Sequence, residues 1–154
     1  MVQHLDHHDA ELLLRLYDLR RETKLREARD WFAQEFQAAS PEDFMKRYPF
    51  GTEENTFFRM VVGYWNMAAS ILNHGLINEE LFFENNGEMY GVWSKIKPFA
   101  PAMREMWKNP MVWKNIETAG GKYEKWISQH APEALGRQQE VMQAFATSAA
   151  KKKS

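Results

Sequence analysis

Histidine and aspartate side chains are concentrated at the start of the chain, where their spacing could bind a metal ion. His4, His7 and His8 lie beside Asp6 and Asp9. On a helix, His4 and His8 would lie one turn apart on the same face, where two imidazole rings can share a metal ion. Because chain ends are usually poorly ordered, the sequence favours solvated side chains here. We expect no metal site and no cofactor, with His4 and His8 as the candidate ligands if this segment is helical.

A second group of residues could bind an anionic or aromatic ligand. Arg104 lies three residues before Trp107, so on a helix its guanidinium can stack on the indole or reach a buried carboxylate. With Trp93 and Tyr123, it could line a cleft for such a ligand. The alternative is structural, with Arg104 joining helix ends through carbonyl groups or a carboxylate. Structural arginines are common and the sequence itself shows no pocket, so it favours the structural alternative.

The residue patterns of familiar catalytic sites are missing from the sequence. The chain has no cysteine, which excludes disulfides, thiolate nucleophiles and cysteine-ligated zinc. It has no Gly-x-Ser-x-Gly and no His-Glu-x-x-His, and Gly120-Gly121-Lys122 lacks the first glycine of a phosphate-binding loop. We therefore predict no catalytic residue, and the sequence leans against an enzyme without excluding one.

The composition is that of one folded domain. The chain has 154 residues, of which 44% are hydrophobic and 14% aromatic, with a formal charge of −1. This content argues against disorder, and the charge gives no general attraction to nucleic acid or anionic lipid. No apolar run approaches the ~20 residues of a membrane span, and the N-terminal residues do not resemble a signal peptide. We expect a cytoplasmic protein that binds no nucleic acid.

The apolar residues follow helical spacing over most of the chain. We predict about seven or eight helices and no strand, which makes the fold class an all-α, irregular multi-helix bundle. The helix at about 52–74 has almost no polar face, as expected for the element at the centre of a bundle. Residues 1–8 are expected to be a flexible N-terminus, 9–148 a single helical domain and 149–154 a frayed basic tail.

Caps and breakers define where several of these helices begin and end. Gly75 is expected to end the central helix in a left-handed conformation, and Asn78 to cap the next one. Asn109-Pro110 is typical of a helix N-cap followed by proline at the first helical position, so we predict that a helix begins there. Gly120-Gly121 lies inside that helix and predicts either a kink or the close approach of a neighbouring backbone.

The order of these signals resembles a known family. An apolar helix is followed by a Gly-Leu-Ile turn, Asn-Glu-Glu-Leu and a short helix, and then by a series of single residues. These are Gly75-Leu76-Ile77, Asn78-Glu79-Glu80-Leu81, Gly87, Trp93, Pro98, Arg104 and Asn109-Pro110. Over roughly Glu11–Trp126, the chain is similar to small bacterial all-helical proteins grouped as a domain of unknown function. Some of those proteins carry an N-terminal membrane anchor, and we expect none in this chain. The resemblance implies no activity, substrate or catalytic residue.

Two functions remain open. The leading hypothesis is a non-enzymatic interaction or assembly module, either a homodimer formed through an aromatic-rich helix face or a protein that binds another protein. The alternative is a small-ligand-binding or enzymatic helical domain with a cleft around Arg104, Trp107, Trp93 and Tyr123.

Overall fold

The protein is built from helices throughout the part that the computed structural model describes, residues 4–152. No strand occurs in that range, so the predicted all-α class is confirmed. The α-helices are α1 (His7–Arg20), α2 (Thr23–Gln34), α3 (Pro41–Arg47), α4 (Glu53–Asn73), α5 (Glu79–Asn85), α6 (Glu88–Ile96), α7 (Ala100–Trp107), α8 (Lys114–His130) and α9 (Ala134–Lys152). A short 3₁₀ turn, Lys97–Phe99, joins α6 to α7.

Helix α4 is the central element, as its apolar sequence predicted. Trp65, Ala68 and Ala69 on this helix are fully buried, and the helix packs mainly against α2 and α8. One side of α4 nevertheless borders solvent, where Arg59, Gly63 and Met67 are exposed. Because its other sides are buried, α4 contacts several neighbouring helices and positions side chains towards each of them.

The corner after α4 has the predicted capping geometry. Gly75 adopts a φ of 73°, which a residue without a Cβ accepts at little cost. Its N–H donates to Leu72 O, and Leu76 N donates to Ile71 O, the paired bonds of a Schellman motif. Ile77 is fully buried beneath this turn, so the corner is held by packing as well as by hydrogen bonds.

A buried carboxylate joins the first helix to this corner. Asp9 is only 6% exposed, and its Oδ1 accepts a hydrogen bond of 2.6 Å from Asn78 N, at the cap of α5. Its Oδ2 accepts from Asp6 N at 3.0 Å and completes a capping box on α1. The aspartates near the N-terminus therefore cap and tie helices, which is a structural use of their charge.

The predicted start of the helix after α7 is wrong. Asn109-Pro110 does not open α8, which begins at Lys114. Asn109 Oδ1 instead accepts from Met111 N, and Trp113 adopts a left-handed φ of 57°. The cap and proline signals are local, whereas Trp113 packs against Phe58 and Phe99 with ring centroids 5.8 and 5.6 Å apart. This tertiary contact holds the chain in a turn for four more residues.

The two adjacent glycines within α8, Gly120 and Gly121, have different surroundings. A Cβ at Gly120 would overlap the Trp93 indole, whereas a Cβ at Gly121 would meet nothing within 4 Å. The close neighbour is thus a buried side chain of α6 and not the backbone that the sequence suggested. Gly120 is required for α6 and α8 to pack this closely, and Gly121 is not.

The last helix is the least buried. α9 packs against α8 and α2, and it exposes Val141 and Phe145. The predicted boundaries of the end segments fall partly outside residues 4–152, but within that range His7 and His8 belong to α1, and α9 extends to Lys152. Among the described helices, none is long and apolar enough to cross a membrane.

Candidate functional site

An open cavity lies between α3, α4, α7 and the turn that leads into α8. Its volume is about 330 Å³, at the lower end of the range for ligand pockets. Most of its walls are aromatic or methionine side chains, and we call it the aromatic cavity. Its lining residues are Phe44, Met45, Phe50, Asn55, Phe58, Arg59, Met103, Met106, Trp107, Asn109, Val112 and Trp113.

The inner wall of the aromatic cavity is rigid core. Phe44 and Phe58 are each 4% exposed, and Met103 is 3% exposed. The Phe44 and Phe58 rings lie 4.5 Å apart between centroids, within the range of favourable aromatic pairs. The inner surface is therefore preformed, because the side chains that make it also hold α3, α4 and α7 together.

The rim of the aromatic cavity is apolar yet faces solvent. Phe50 is 57% exposed and Trp107 is 53% exposed, and their rings meet edge to face with centroids 6.2 Å apart. Met106, which also lines the cavity, is exposed as well. Large apolar side chains grouped in this way at the mouth of a cavity are typical of a surface that binds another molecule.

Two polar residues of the cavity, Asn55 and Arg59, come from one turn of α4. Asn55 is 1% exposed, and its Nδ2 donates to Tyr48 O at 2.8 Å. Its Oδ1 accepts from Arg59 Nε at 3.0 Å. The buried amide thus orients the guanidinium of Arg59, an arrangement that limits the rotamer freedom of a long side chain.

The outer wall is a turn that begins and ends in left-handed residues. Lys108 and Trp113 have φ values of 51° and 57°, which are uncommon for residues other than glycine. Arg104 Nε donates to Val112 O at 2.8 Å and holds this turn against α7. Backbone strain of this kind persists where surrounding contacts enforce it, and it often occurs at binding sites.

Arg104, a predicted site residue, lies behind this wall. Its Nη1 contacts Glu117 Oε2 at 3.2 Å, and the Arg104 side chain is 13% exposed. The hydrogen bond from Lys114 and the hydrogen bond and charge of Arg104 lower the pKa of Glu117. Arg104 Nη2 is buried and has no hydrogen-bond partner among the described residues. The contacts of Arg104 join α7 to α8, and it does not line the aromatic cavity.

The other residues predicted beside Arg104 lie in different places. Trp107 lines the aromatic cavity, whereas Trp93 is buried against Gly120 in the contact between α6 and α8. Tyr123 is 8% exposed and stacks on Tyr90, with ring centroids 5.2 Å apart. The structure therefore does not gather Arg104, Trp107, Trp93 and Tyr123 around one cavity.

The N-terminal histidines are exposed. His8 is 90% exposed and lies 3.5 Å from Asp6 Oδ1, and His4 precedes α1. Within residues 4–152, no group of three or more histidine, aspartate and glutamate side chains is arranged to hold a metal ion. The helical order that would place His4 and His8 on one face begins only at His7.

Sequence reasoning missed Phe50, Asn55 and Arg59 as cavity residues. Phe50 follows Pro49 in a turn between helices, and Asn55 and Arg59 are one turn apart at the start of α4. The spacing of Asn55 and Arg59 was a usable signal, because two polar residues four apart on an apolar helix share a face. The position of Phe50 carried no such signal.

A second, shallower depression lies between α1 and α4, with a volume of about 660 Å³. We call it the α1–α4 groove. Arg59 borders it as well as the aromatic cavity, so this side chain stands between the two. The remaining residues are Arg15, Asp18, Leu19, Glu22, Leu25, Met60, Gly63, Tyr64 and Met67.

Comparison with known proteins identifies a family but no activity. Neither a curated protein nor a solved structure matches the chain. One family model matches residues 5–123, from just before α1 to the middle of α8, which includes every element that forms the aromatic cavity. Most of the chain thus belongs to the family described as a domain of unknown function (DUF4760).

Proposed function

We propose that the protein is a non-enzymatic interaction module that binds an apolar side chain of a protein partner in the aromatic cavity. The observation that carries this proposal is the exposed rim around an open, preformed cavity. Phe50 and Trp107 are both more than half exposed, although each is large enough to contribute substantially to a core. Covering them with a partner would remove this apolar surface from water, which is favourable.

The chemistry of the lining supports recognition of an apolar group. Met45, Met103 and Met106 supply unbranched side chains beside the aromatic rings. Methionine adapts its shape and is enriched at surfaces that accept varied apolar partners. A buried aromatic or aliphatic anchor in such a pocket is the usual centre of a protein interface.

The alternative function, a small-ligand or enzymatic cleft around Arg104, has less support. Arg104 Nε and Nη1 are engaged by Val112 and Glu117, and Trp93 is buried in the helix packing. A ligand would have to displace these contacts to reach Arg104. A ligand can contact the exposed rim of the aromatic cavity without breaking contacts of this kind.

Panning a library of displayed peptides on the purified protein tests the proposed function. We expect enriched peptides to share an apolar anchor residue, and to lose most of their affinity for a Trp107→Ser variant. Met67→Ser is the matched control, because Met67 is 42% exposed but borders the α1–α4 groove. Affinities are measured by isothermal titration calorimetry on variants with unchanged circular dichroism.

Two results would contradict the proposal. One is a library that yields no peptide above background, and the other is a set of peptides that bind wild type and Trp107→Ser equally. Solution mass over a concentration series, measured on the same samples, identifies the partner class. A dimer that Trp107→Ser dissociates would make the partner a second copy of this chain.

A further inference from the structure

We propose that the partner segment bound in the aromatic cavity carries a carboxylate next to its apolar anchor, and that Arg59 recognises this carboxylate. This inference rests on the proposed function and adds to it the charge of the partner. It depends on three features of Arg59, which are its fixed orientation, its lack of an acidic partner and its apolar surroundings.

The orientation of Arg59 is set by a buried hydrogen-bond chain. Asn55 Oδ1 accepts from Arg59 Nε at 3.0 Å, and Asn55 Nδ2 donates to Tyr48 O at 2.8 Å. Asn55 is 1% exposed, so the Asn55 end of this link is buried. Among the hydrogen bonds of the described residues, only Nε of the guanidinium is used, and its two terminal nitrogens remain for a ligand. A carboxylate can accept from both in a bidentate contact.

Within the described part of the chain, Arg59 forms no ion pair. Arg29 and Arg104 form ion pairs with Glu88 and Glu117, but no such pair involves Arg59 among residues 4–152. The cavity lining contains no aspartate or glutamate either. An anion on the partner would therefore meet a cation without displacing an existing carboxylate.

The surroundings of Arg59 strengthen such a contact. Arg59 shares the cavity with Phe58 on the same helix and with the buried Phe44 ring. When an apolar anchor fills the cavity it displaces water, and the lower local dielectric increases the attraction between opposite charges. Binding of the apolar anchor therefore strengthens the contact between the carboxylate and Arg59.

The α1–α4 groove offers Arg59 a different environment, which the experiment has to distinguish. Asp18 and Glu22 border that groove together with Arg59, and an anion bound there would face like charges. The proposal therefore requires the carboxylate to bind on the cavity side. The indole N–H groups of Trp107 and Trp113 report on that side, and the Gly63 amide reports on the groove.

The test compares two probes that differ at one group, N-acetyl-leucine with its carboxylate and N-acetyl-leucinamide with a neutral carboxamide in its place. Both are titrated into the full chain labelled with ¹⁵N, and chemical shifts are followed by two-dimensional NMR. For wild type we expect both probes to shift the indole signals of Trp107 and Trp113. We expect the carboxylate probe to bind roughly threefold more tightly, the scale of one partly exposed ion pair.

Arg59→Gln is the informative variant, because it removes the charge from an exposed side chain. We expect it to lose the preference, so that the ratio of its affinities for the two probes falls to about one. Arg59→Lys should keep part of the preference, since it retains the charge but not the bidentate geometry. Arg15→Gln is the matched control from the α1–α4 groove, and it should keep the full preference. Melting temperatures of all variants confirm that each is folded.

The outcomes separate this inference from the proposed function. Equal binding of both probes to wild type would overturn the role of Arg59 while leaving the apolar site in place. A preference that persists in Arg59→Gln, or carboxylate shifts centred on Gly63, would overturn it as well. If neither probe shifted the Trp107 or Trp113 signals, the proposed function itself would be contradicted, and this inference with it.

Discussion

Single side chains define how closely the helices of this protein approach one another. Trp93 is 3% exposed and lies where a Cβ of residue 120 would be, so α6 and α8 meet across a glycine. The same packing surface is extended by Tyr90 and Tyr123, which stack with their ring planes at 25°. The aromatic content of the sequence thus acts mainly through a few close ring contacts between helices.

The two adjacent glycines allow a matched test of this contact. We expect Gly120→Ala to lower the free energy of unfolding by about 1–3 kcal/mol, because the added methyl group overlaps the Trp93 indole. Gly121→Ala should instead raise it by up to about 1 kcal/mol, because alanine favours helix and meets nothing there. Urea denaturation measures both changes, and equal effects of the two variants would show that the Trp93 contact is not tight.

At the scale of elements, the turn between α7 and α8 differs most from what its local signals indicate. Lys108 ends α7 in a left-handed conformation, and Trp113 precedes α8 in another. The turn is held by Arg104 through Val112 O and by the packing of Trp113 on Phe58. Because this turn forms the outer wall of the aromatic cavity, its strain is maintained by contacts that also shape the candidate site.

Lys108→Gly tests the strain at the first of these positions. The Lys108 side chain is 78% exposed and contacts only the equally exposed Glu105 among its described ion pairs, so its removal costs little. We expect the free energy of unfolding to rise by roughly 0.5–1 kcal/mol, because glycine accepts the left-handed conformation without steric penalty.

Lys125→Gly provides the comparison for Lys108→Gly, because Lys125 is exposed in the interior of α8. Glycine at that position should lower the free energy of unfolding by about 1 kcal/mol. Thermal denaturation followed by circular dichroism measures both variants. A loss of stability in Lys108→Gly would mean that the left-handed residue is not strained.

At the scale of the whole molecule, polar ties connect helices that are distant in sequence. Arg29 on α2 contacts Glu88 at the start of α6, with an Nη2–Oε2 distance of 2.6 Å, and this hydrogen bond raises the pKa of Arg29. Lys95 on α6 makes a second connection, at the last turn of α2, where its Nζ donates to Phe32 O at 2.7 Å and to Ala33 O at 3.0 Å. The second half of α2 is thereby attached to α6 at two points.

Lys95 should make the stability of the whole protein depend on pH. Burial lowers the pKa of Lys95 to about 8, below its value in the unfolded chain. Above pH 8 the folded chain therefore binds fewer protons at this group than the unfolded chain, and the free energy of unfolding should rise with pH. The slope cannot exceed roughly 1.4 kcal/mol per pH unit, and the bonds to the two carbonyl groups reduce it because they favour the charged amine.

Urea denaturation between about pH 7.5 and pH 9.5 measures this dependence. Lys95→Met should abolish the rise, whereas Lys97→Met, at an exposed position on the following turn, should keep it. Higher pH is avoided because burial raises the pKa of Tyr64, so its ionisation would lower the free energy of unfolding. A rise that persists unchanged in Lys95→Met would assign the effect to another group.

Much of the fold was predictable because its determinants lie close together in the sequence. The apolar run of α4, the left-handed Gly75 and the Asn78 cap each affect only residues a few positions away in the sequence. The same reasoning failed at Asn109-Pro110, where the packing of Trp113 outweighed the local helix-start signal. It also could not foresee that the neighbour of Gly120 is the side chain of Trp93.

The amino-acid sequence by itself determined that this is an all-helical domain with α4 at its centre, since helical periodicity and caps are local properties. Only the tertiary structure decided which side chains share a surface. Phe50, Asn55, Arg59 and Trp107 are brought to one cavity by the packing of α3, α4 and α7, whereas Arg104 and Trp93 are used elsewhere. Contacts between distant residues depend on how helices pack, and no local pattern records that packing.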